Sequence, residues 1–184
     1  MEDLMTGNPL GVNHVLGLNE TGGPLEPWLV RGAIGKIERH LGRLAGRAAA
    51  LEFGSGSGSY WLCQRCQSVV SVEHNRQWAD RVTELLAGVR LAERHRMVVA
   101  ALGPEYERAV AQIEPESLDL VLVDGRRRVR CVKSSAGLVR AGGLLVLDNS
   151  ERHYYGAAHE LLAGWPAESF RNSLWQTTVW RRPG

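Results

Sequence analysis

Three alternating glycines, Gly54, Gly56 and Gly58, follow a short apolar run from Ala48 to Phe53 and precede a segment of helical character. Glycine tolerates positive φ and lets a ligand approach the backbone with no Cβ in the way. The free N–H groups that open the next helix can receive an anionic group. A second short strand, Ser68 to Val72, runs into Glu73, nineteen residues after Gly54. An acid at that strand end is placed where a βαβ nucleotide-binding unit hydrogen-bonds ribose hydroxyls.

The class of nucleotide follows from Glu52. A dinucleotide brings a pyrophosphate to the glycine turn, and the usual spacing there is G-x-G-x-x-G. Here the spacing is G-x-G-x-G, with Glu52 two residues before the first glycine. A carboxylate repels a pyrophosphate and attracts an ammonium or a sulfonium. S-adenosylmethionine carries both cations, together with one carboxylate for the helix N-terminus. With Glu52, Gly54, Gly56 and Gly58 matching E/D-x-G-x-G-x-G, and Glu73 ending the second strand, the sequence resembles the class I S-adenosylmethionine-dependent methyltransferases. The resemblance implies a cofactor site of Glu52, Gly54, Ser55, Gly56, Gly58, Ser59, Glu73, His74, Ala101, Leu102, Asp124 and Gly125. His74 would line the adenine pocket. The stretch Ala100-Ala101-Leu102-Gly103 lacks a polar side chain, so contact with the adenine amino group would fall to the backbone.

Strand and helix patterns alternate along the chain. Pro27 to Gly46 has apolar residues at Leu29, Ile34, Ile37, Leu41 and Leu44, near helical spacing. Strands are expected at Ala48–Phe53, Ser68–Val72, Met97–Leu102, Leu118–Val123 and Gly143–Leu147. The intervening helices are expected near Tyr60–Cys66, Gln77–Ala87, Glu105–Ile113, Arg128–Val139 and Ala157–Ala163. Ser169–Arg171 and Gln176–Arg182 read as a closing hairpin. The continuous apolar runs Leu118–Val123 and Gly143–Leu147 suit central parallel strands covered on both faces. The expected fold is therefore α/β: a Rossmann-like, doubly wound, mostly parallel seven-stranded sheet with an antiparallel C-terminal strand, in one domain. Residues 1–46 read as an N-terminal arm and helix forming a lid, and residues 47–184 as the S-adenosylmethionine-binding domain.

Ligands in open α/β sheets bind beyond the carboxyl ends of the strands. Strand four ends in Val123-Asp124-Gly125, and strand five in Leu147-Asp148-Asn149-Ser150. This pattern resembles the divalent-metal-dependent O-methyltransferases of the catechol and caffeoyl-coenzyme A type. Carried over, Asp124, Asp148 and Asn149 would hold Mg²⁺, whose preference for hard oxygen ligands they meet. A bound cation would lower a hydroxyl's pKa and orient it for in-line attack on the methyl group. The family often has a lysine base three residues after the first Asp; here that position is Arg127. A guanidinium stays protonated and accepts no proton, which leaves Arg127 the binding of an anionic group or oxyanion. His153, just beyond strand five, is the candidate base if no metal binds. Asp124, Arg127 and His153 thus form the expected catalytic set.

The net charge of +2 is too small to argue for nucleic acid or an anionic surface, and Arg126 to Arg130 read as a solvated helix face. No apolar run reaches the roughly 20 residues of a membrane span. A cytoplasmic enzyme acting on a small-molecule methyl acceptor, with no nucleic-acid or membrane partner, is the default; a homo-oligomer is compatible with the sequence. Cys63 and Cys66 have C-x-x-C spacing without a second ligand pair, and read as packing residues. Two rivals stand beside the transferase: a nicotinamide-dependent oxidoreductase, and a non-catalytic nucleotide-binding partner subunit.

Overall fold

The structure, a computed structural model, describes residues 26–184. Its elements are α1 (Arg31–Arg43), β1 (Ala49–Phe53), α2 (Ser57–Cys63), β2 (Ser68–Glu73), α3 (Arg76–Gly88), β3 (His95–Val99), α4 (Pro104–Arg108) and β4 (Leu118–Val123). There follow α5 (Arg128–Ser135), β5 (Val139–Asp148), α6 (Gly156–Leu161), β6 (Ala167–Arg171) and β7 (Gln176–Arg181). The seven strands form one sheet in the order β3-β2-β1-β4-β5-β7-β6. Strands β1 to β5 pair in parallel, and β7 pairs antiparallel with both β5 and β6. The expected doubly wound sheet with an antiparallel final strand is the one observed.

Alternation of side chains along the strands divides the core in two. Ala50, Leu120, Leu122, Leu144, Val146 and Val179 face α1, α2 and α3, and pack with Ile37, Leu41, Trp61 and Leu86. Leu51, Phe53, Val121, Val123, Leu145 and Leu147 face α4, α5 and α6, and pack with Tyr106, Val132 and Leu162. β4 is buried at all six positions, the burial that its continuous apolar sequence requires.

Several boundaries differ from the sequence expectation: α2 covers Ser57–Cys63 rather than 60–66, and α4 stops at Arg108, short of Ile113. β3 covers His95–Val99 rather than 97–102, because His95 enters the sheet opposite Val69 and its Nε2 meets Ser71 Oγ at 2.7 Å. The helix expected over 128–139 stops at Ser135; residues 136–138 form a single 3₁₀ turn, and β5 begins at Val139, four residues earlier than expected. A register shift between Leu118 and Leu120 absorbs the early start of β5.

The N-terminal lid of residues 1–46 divides differently. Residues 1–25 lie outside the described residues. Helix α1 buries Ala33, Ile34, Ile37 and Leu41 in the same core as the sheet. Its Gly32 lies so close to Phe170 of β6 that a Cβ there would stand 2.3 Å from the ring. An apolar face committed in this way places α1 in the core of the sheet. Among the described residues of this N-terminal part, Pro27 and Trp28, just before α1, line the cavity.

Candidate functional site

The strand order reverses between β1 and β4, which are neighbours in the sheet while their following helices pack on opposite faces. The loops after them therefore part, leaving a crevice at the carboxyl ends, the usual ligand position in such sheets. A cavity of about 360 Å³ occupies it, lined by Pro27, Trp28, Glu52, Gly54, Ser55, Gly56, Ser57, Gly58, Trp78, Leu122 and Asp124. Seven of these come from the strand-and-glycine segment 52–58 or from Asp124.

The glycine loop is shaped by its neighbours. Gly54 has φ +91°, and a Cβ there would lie 2.9 Å from the Cα of Gly125, so the loops after β1 and β4 touch backbone to backbone. Trp78 of α3 donates its indole N–H to Ser55 O at 2.8 Å. Ser59 Oγ accepts the Gly56 N–H at 3.0 Å, and this hydroxyl in turn donates to Glu52 Oε1.

Glu52 is buried, at 1% exposure, yet it borders the cavity. Its Oε1 also receives the Ser71 hydroxyl. Burial pushes the carboxyl up from 4.5 to about 8, against the two hydroxyl donors. Ser71 continues to His95, whose imidazole burial lowers to about 4. A hydrogen-bonded line thus runs from the cavity wall across β2 into β3.

Glu73 reaches the loop, but its oxygens are engaged within the protein. Oε2 accepts the Ser55 N–H at 3.1 Å and the Ser55 hydroxyl at 3.3 Å. Oε1 accepts the N–H groups of His74 and Asn75 at 2.8 and 2.9 Å, and lies 2.8 Å from His74 Nδ1. Asn75 caps α3 by accepting the Trp78 N–H. Glu73 therefore ties the glycine loop to the start of α3. His74 stands edge-on to Tyr106 at 6.4 Å and does not line the cavity. Ala101 and Leu102 are exposed beyond β3 and are also outside it. Gly125 contributes through its contact with Gly54.

The expected catalytic set does not assemble. Asp124 borders the cavity. Arg127, at the N-cap of α5 with φ +53°, turns its guanidinium to Glu107 of α4, with Nε at 2.7 Å from Oε1. It is paired there in a part-exposed ion pair and does not line the cavity. His153 is exposed on the 3₁₀ turn 153–155, with its ring against Tyr154. It does not border the cavity.

The metal set is also revised. Asp124 and Asp148 do converge, but the guanidinium of Arg128 stands between them. Its Nη2 donates to Asp124 Oδ1 at 2.8 Å, and its Nη1 lies 3.8 Å from Asp148 Oδ2. Asp148 Oδ1 is taken by the Thr177 hydroxyl at 2.6 Å. Asn149 adopts φ +50° at the turn leaving β5. Among the described residues no group of three or more His, Cys, Asp and Glu side chains could hold a metal ion. Asp124, Asp148 and Asn149 as they stand do not fit Mg²⁺, because the space between the carboxylates is filled by a cation of the chain itself. Arg128 is the residue that sequence reasoning missed. The signal for it was the i, i+4 spacing of Asp124 and Arg128 across the start of α5.

The three cysteines are buried and free, each thiol pushed up to about 12 by burial, which agrees with packing roles. No helix of the described residues is long and apolar enough to cross a membrane.

No protein-family profile matches the chain, and no curated protein matches it by sequence. Solved structures do match by fold. The O-methyltransferase TomG of Streptomyces achromogenes, involved in tomaymycin synthesis and bound to S-adenosylmethionine, is 19% identical with a TM-score of 0.69, over 100% of this chain and 91% of that one. An O-methyltransferase from Bacillus cereus in complex with S-adenosylhomocysteine is 18% identical with a TM-score of 0.69, over 98% and 94% of the two chains. An rRNA methylase from Streptococcus thermophilus is 10% identical with a TM-score of 0.64, over 82% and 96%. The fold is the Rossmann-like fold of the class I methyltransferases, and it spans more than one class of acceptor.

Proposed function

We propose that the chain is an S-adenosylmethionine-dependent methyltransferase acting on a small molecule, at oxygen. The observation that carries this reading is the cavity at the β1/β4 switch point, walled by a glycine loop with an acid before it, Glu52, and an acid behind it, Glu73. Two structures of similar fold and near-complete coverage are O-methyltransferases holding this cofactor or its product. When bound, S-adenosylmethionine supplies an already activated methyl group.

The residues of the chain position that group. Gly54, Gly56 and Gly58 let the donor lie against backbone. Glu52 faces the donor's cationic end, and the N–H groups opening α2 receive its carboxylate. Glu73 keeps Ser55 and the start of α3 in register with each other. Trp28 and Trp78 present apolar walls that exclude water, so that donor and acceptor meet in a fixed geometry. Asp124 stands at the cavity edge nearest β4 and β5, where its carboxylate can accept a hydrogen bond from an acceptor hydroxyl.

Calorimetry with S-adenosylhomocysteine and with NAD, then a transfer assay against phenols, carboxylic acids and amines, tests this reading. S-adenosylhomocysteine binds and NAD does not if it holds. NAD binding alone would restore the oxidoreductase. Binding of S-adenosylhomocysteine without turnover on any acceptor would favour the partner subunit.

A further inference from the structure

We infer that Arg128 is a resident cation that takes the place of a divalent metal between the ends of β4 and β5, acting as a positioning residue that excludes such an ion. The guanidinium is buried, at 8% exposure, and its donors are spent on the two strand ends. Nε donates to Gly125 O at 3.0 Å. Nη2 donates to Asp124 O at 2.9 Å and to Asp124 Oδ1 at 2.8 Å. Nη1 donates to Asp148 O and lies 3.8 Å from Asp148 Oδ2. The Tyr155 ring, 5.7 Å from Cζ, covers the group on a further side.

Asp148 is buried and Asp124 is part exposed at the cavity, and two carboxylates brought together in this way repel each other unless a cation stands between them. A divalent ion and a guanidinium both meet that need, but they differ in what they leave open. Mg²⁺ keeps exchangeable positions for water or substrate oxygens. A guanidinium carries only donors, in a fixed planar fork, and here the fork is closed on carbonyls and carboxylates. Arg128 therefore supplies the charge and ties together the β4 and β5 loops without supplying a Lewis acid. Its position four residues after Asp124 lets the first turn of α5 carry it back over the strand ends.

Mn²⁺ is the probe, read by the loss of the free-ion electron paramagnetic resonance signal and by thermal shift, with no cofactor or acceptor present. The test is therefore independent of the transfer reading and can fail without it. The wild-type chain is expected to leave the free-Mn²⁺ signal unchanged. Arg128→Ser opens the space between the carboxylates and should give an equimolar loss of signal and a melting temperature that Mn²⁺ raises. Adding Asp148→Asn to Arg128→Ser should abolish that binding. Arg128→Gln, which keeps more of the side chain's packing, covers the case in which the serine variant does not fold. It should gain weaker Mn²⁺ binding with the same dependence on Asp148. Mn²⁺ binding by the wild type that Asp148→Asn removes would overturn the inference. So would failure of both arginine variants to bind Mn²⁺, because the ion would then be excluded by something other than Arg128.

Discussion

Glu52 makes cofactor binding a function of pH, and the size of the effect can be worked out. In the free protein its carboxyl is pushed up from 4.5 to about 8 by burial. Below pH 4.5 folded and unfolded chains both hold this proton, so it adds no pH dependence. Between 4.5 and 8 the unfolded chain has released it and the folded chain has not. Stability therefore falls by about 1.4 kcal/mol per pH unit, on the order of 5 kcal/mol in all, and levels off above pH 8. A cationic ligand beside Glu52 needs the carboxylate, so below pH 8 affinity should climb up to tenfold per unit. The ligand's own α-ammonium, beside a free carboxylate, keeps its proton about a unit or more above the range of a peptide N-terminus and loses its charge only then. The product of the two ionisations is a bell with its maximum between about pH 8 and 9. Calorimetric titration of S-adenosylhomocysteine at half-unit steps from pH 6 to 9.5 measures it. Glu52→Gln cannot ionise, so it should lose the rising limb, bind weakly at every pH, and be more stable than wild type at pH 8. A wild-type affinity flat between pH 6 and 8, or a glutamine variant binding as well as wild type at pH 8, would refute the role assigned to Glu52.

Two further outcomes follow from the geometry. Glu73→Ala removes the acceptor for the N–H groups of Ser55, His74 and Asn75. Charge-assisted hydrogen bonds of this kind are worth about 1.5–3 kcal/mol each, so urea denaturation should show a clear loss of stability. Calorimetry should show weaker S-adenosylhomocysteine binding, because the glycine loop is no longer held. Cys63, Cys66 and Cys131, buried and with thiols pushed up to about 12, should not react with an aromatic disulfide reagent at neutral pH until the chain is unfolded. Rapid labelling of the native chain would show that the C-x-x-C pair is accessible after all.

The sequence carried the sheet well, because its signals are one-dimensional. β4, expected at 118–123, forms there, since six consecutive apolar or paired positions leave no alternative register. β3 was displaced because the apolar run 97–102 outweighs His95 and Arg96 on inspection, whereas the ladder to β2 starts at His95. The lining of the cavity was legible for the same reason: Glu52, the glycines and Asp124 lie at strand ends in sequence order. The other side was not. Arg127 and Arg128 are adjacent in an arginine run, and only the left-handed turn at Arg127 decides that one points to Glu107 and the other between two aspartates. The place of Glu52 at the cavity wall was legible, but its proton was not, since that depends on burial under Ser59 and Ser71.

The insertion of β7 between β5 and β6 has a consequence for how this chain comes off the ribosome. Thr177 Oγ1 of β7 accepts the Val30 N–H at the start of α1 and donates to Asp148 at the site. Val179, on the same strand, packs in the core that receives Ile37 and Leu41 of α1. Helix α1 and strand β7 are thus mutual partners, separated by nearly the whole described chain. At translation rates of about 5–20 residues per second, α1 is exposed for roughly 7–30 s before β7 exists. During that interval its apolar face is the surface that a chaperone would meet. The glycine-loop wall of the cavity, held by β1, β2 and β4, can form while the chain is still being extended. The carboxylate of Asp148 acquires its Thr177 partner only once residue 177 has been made.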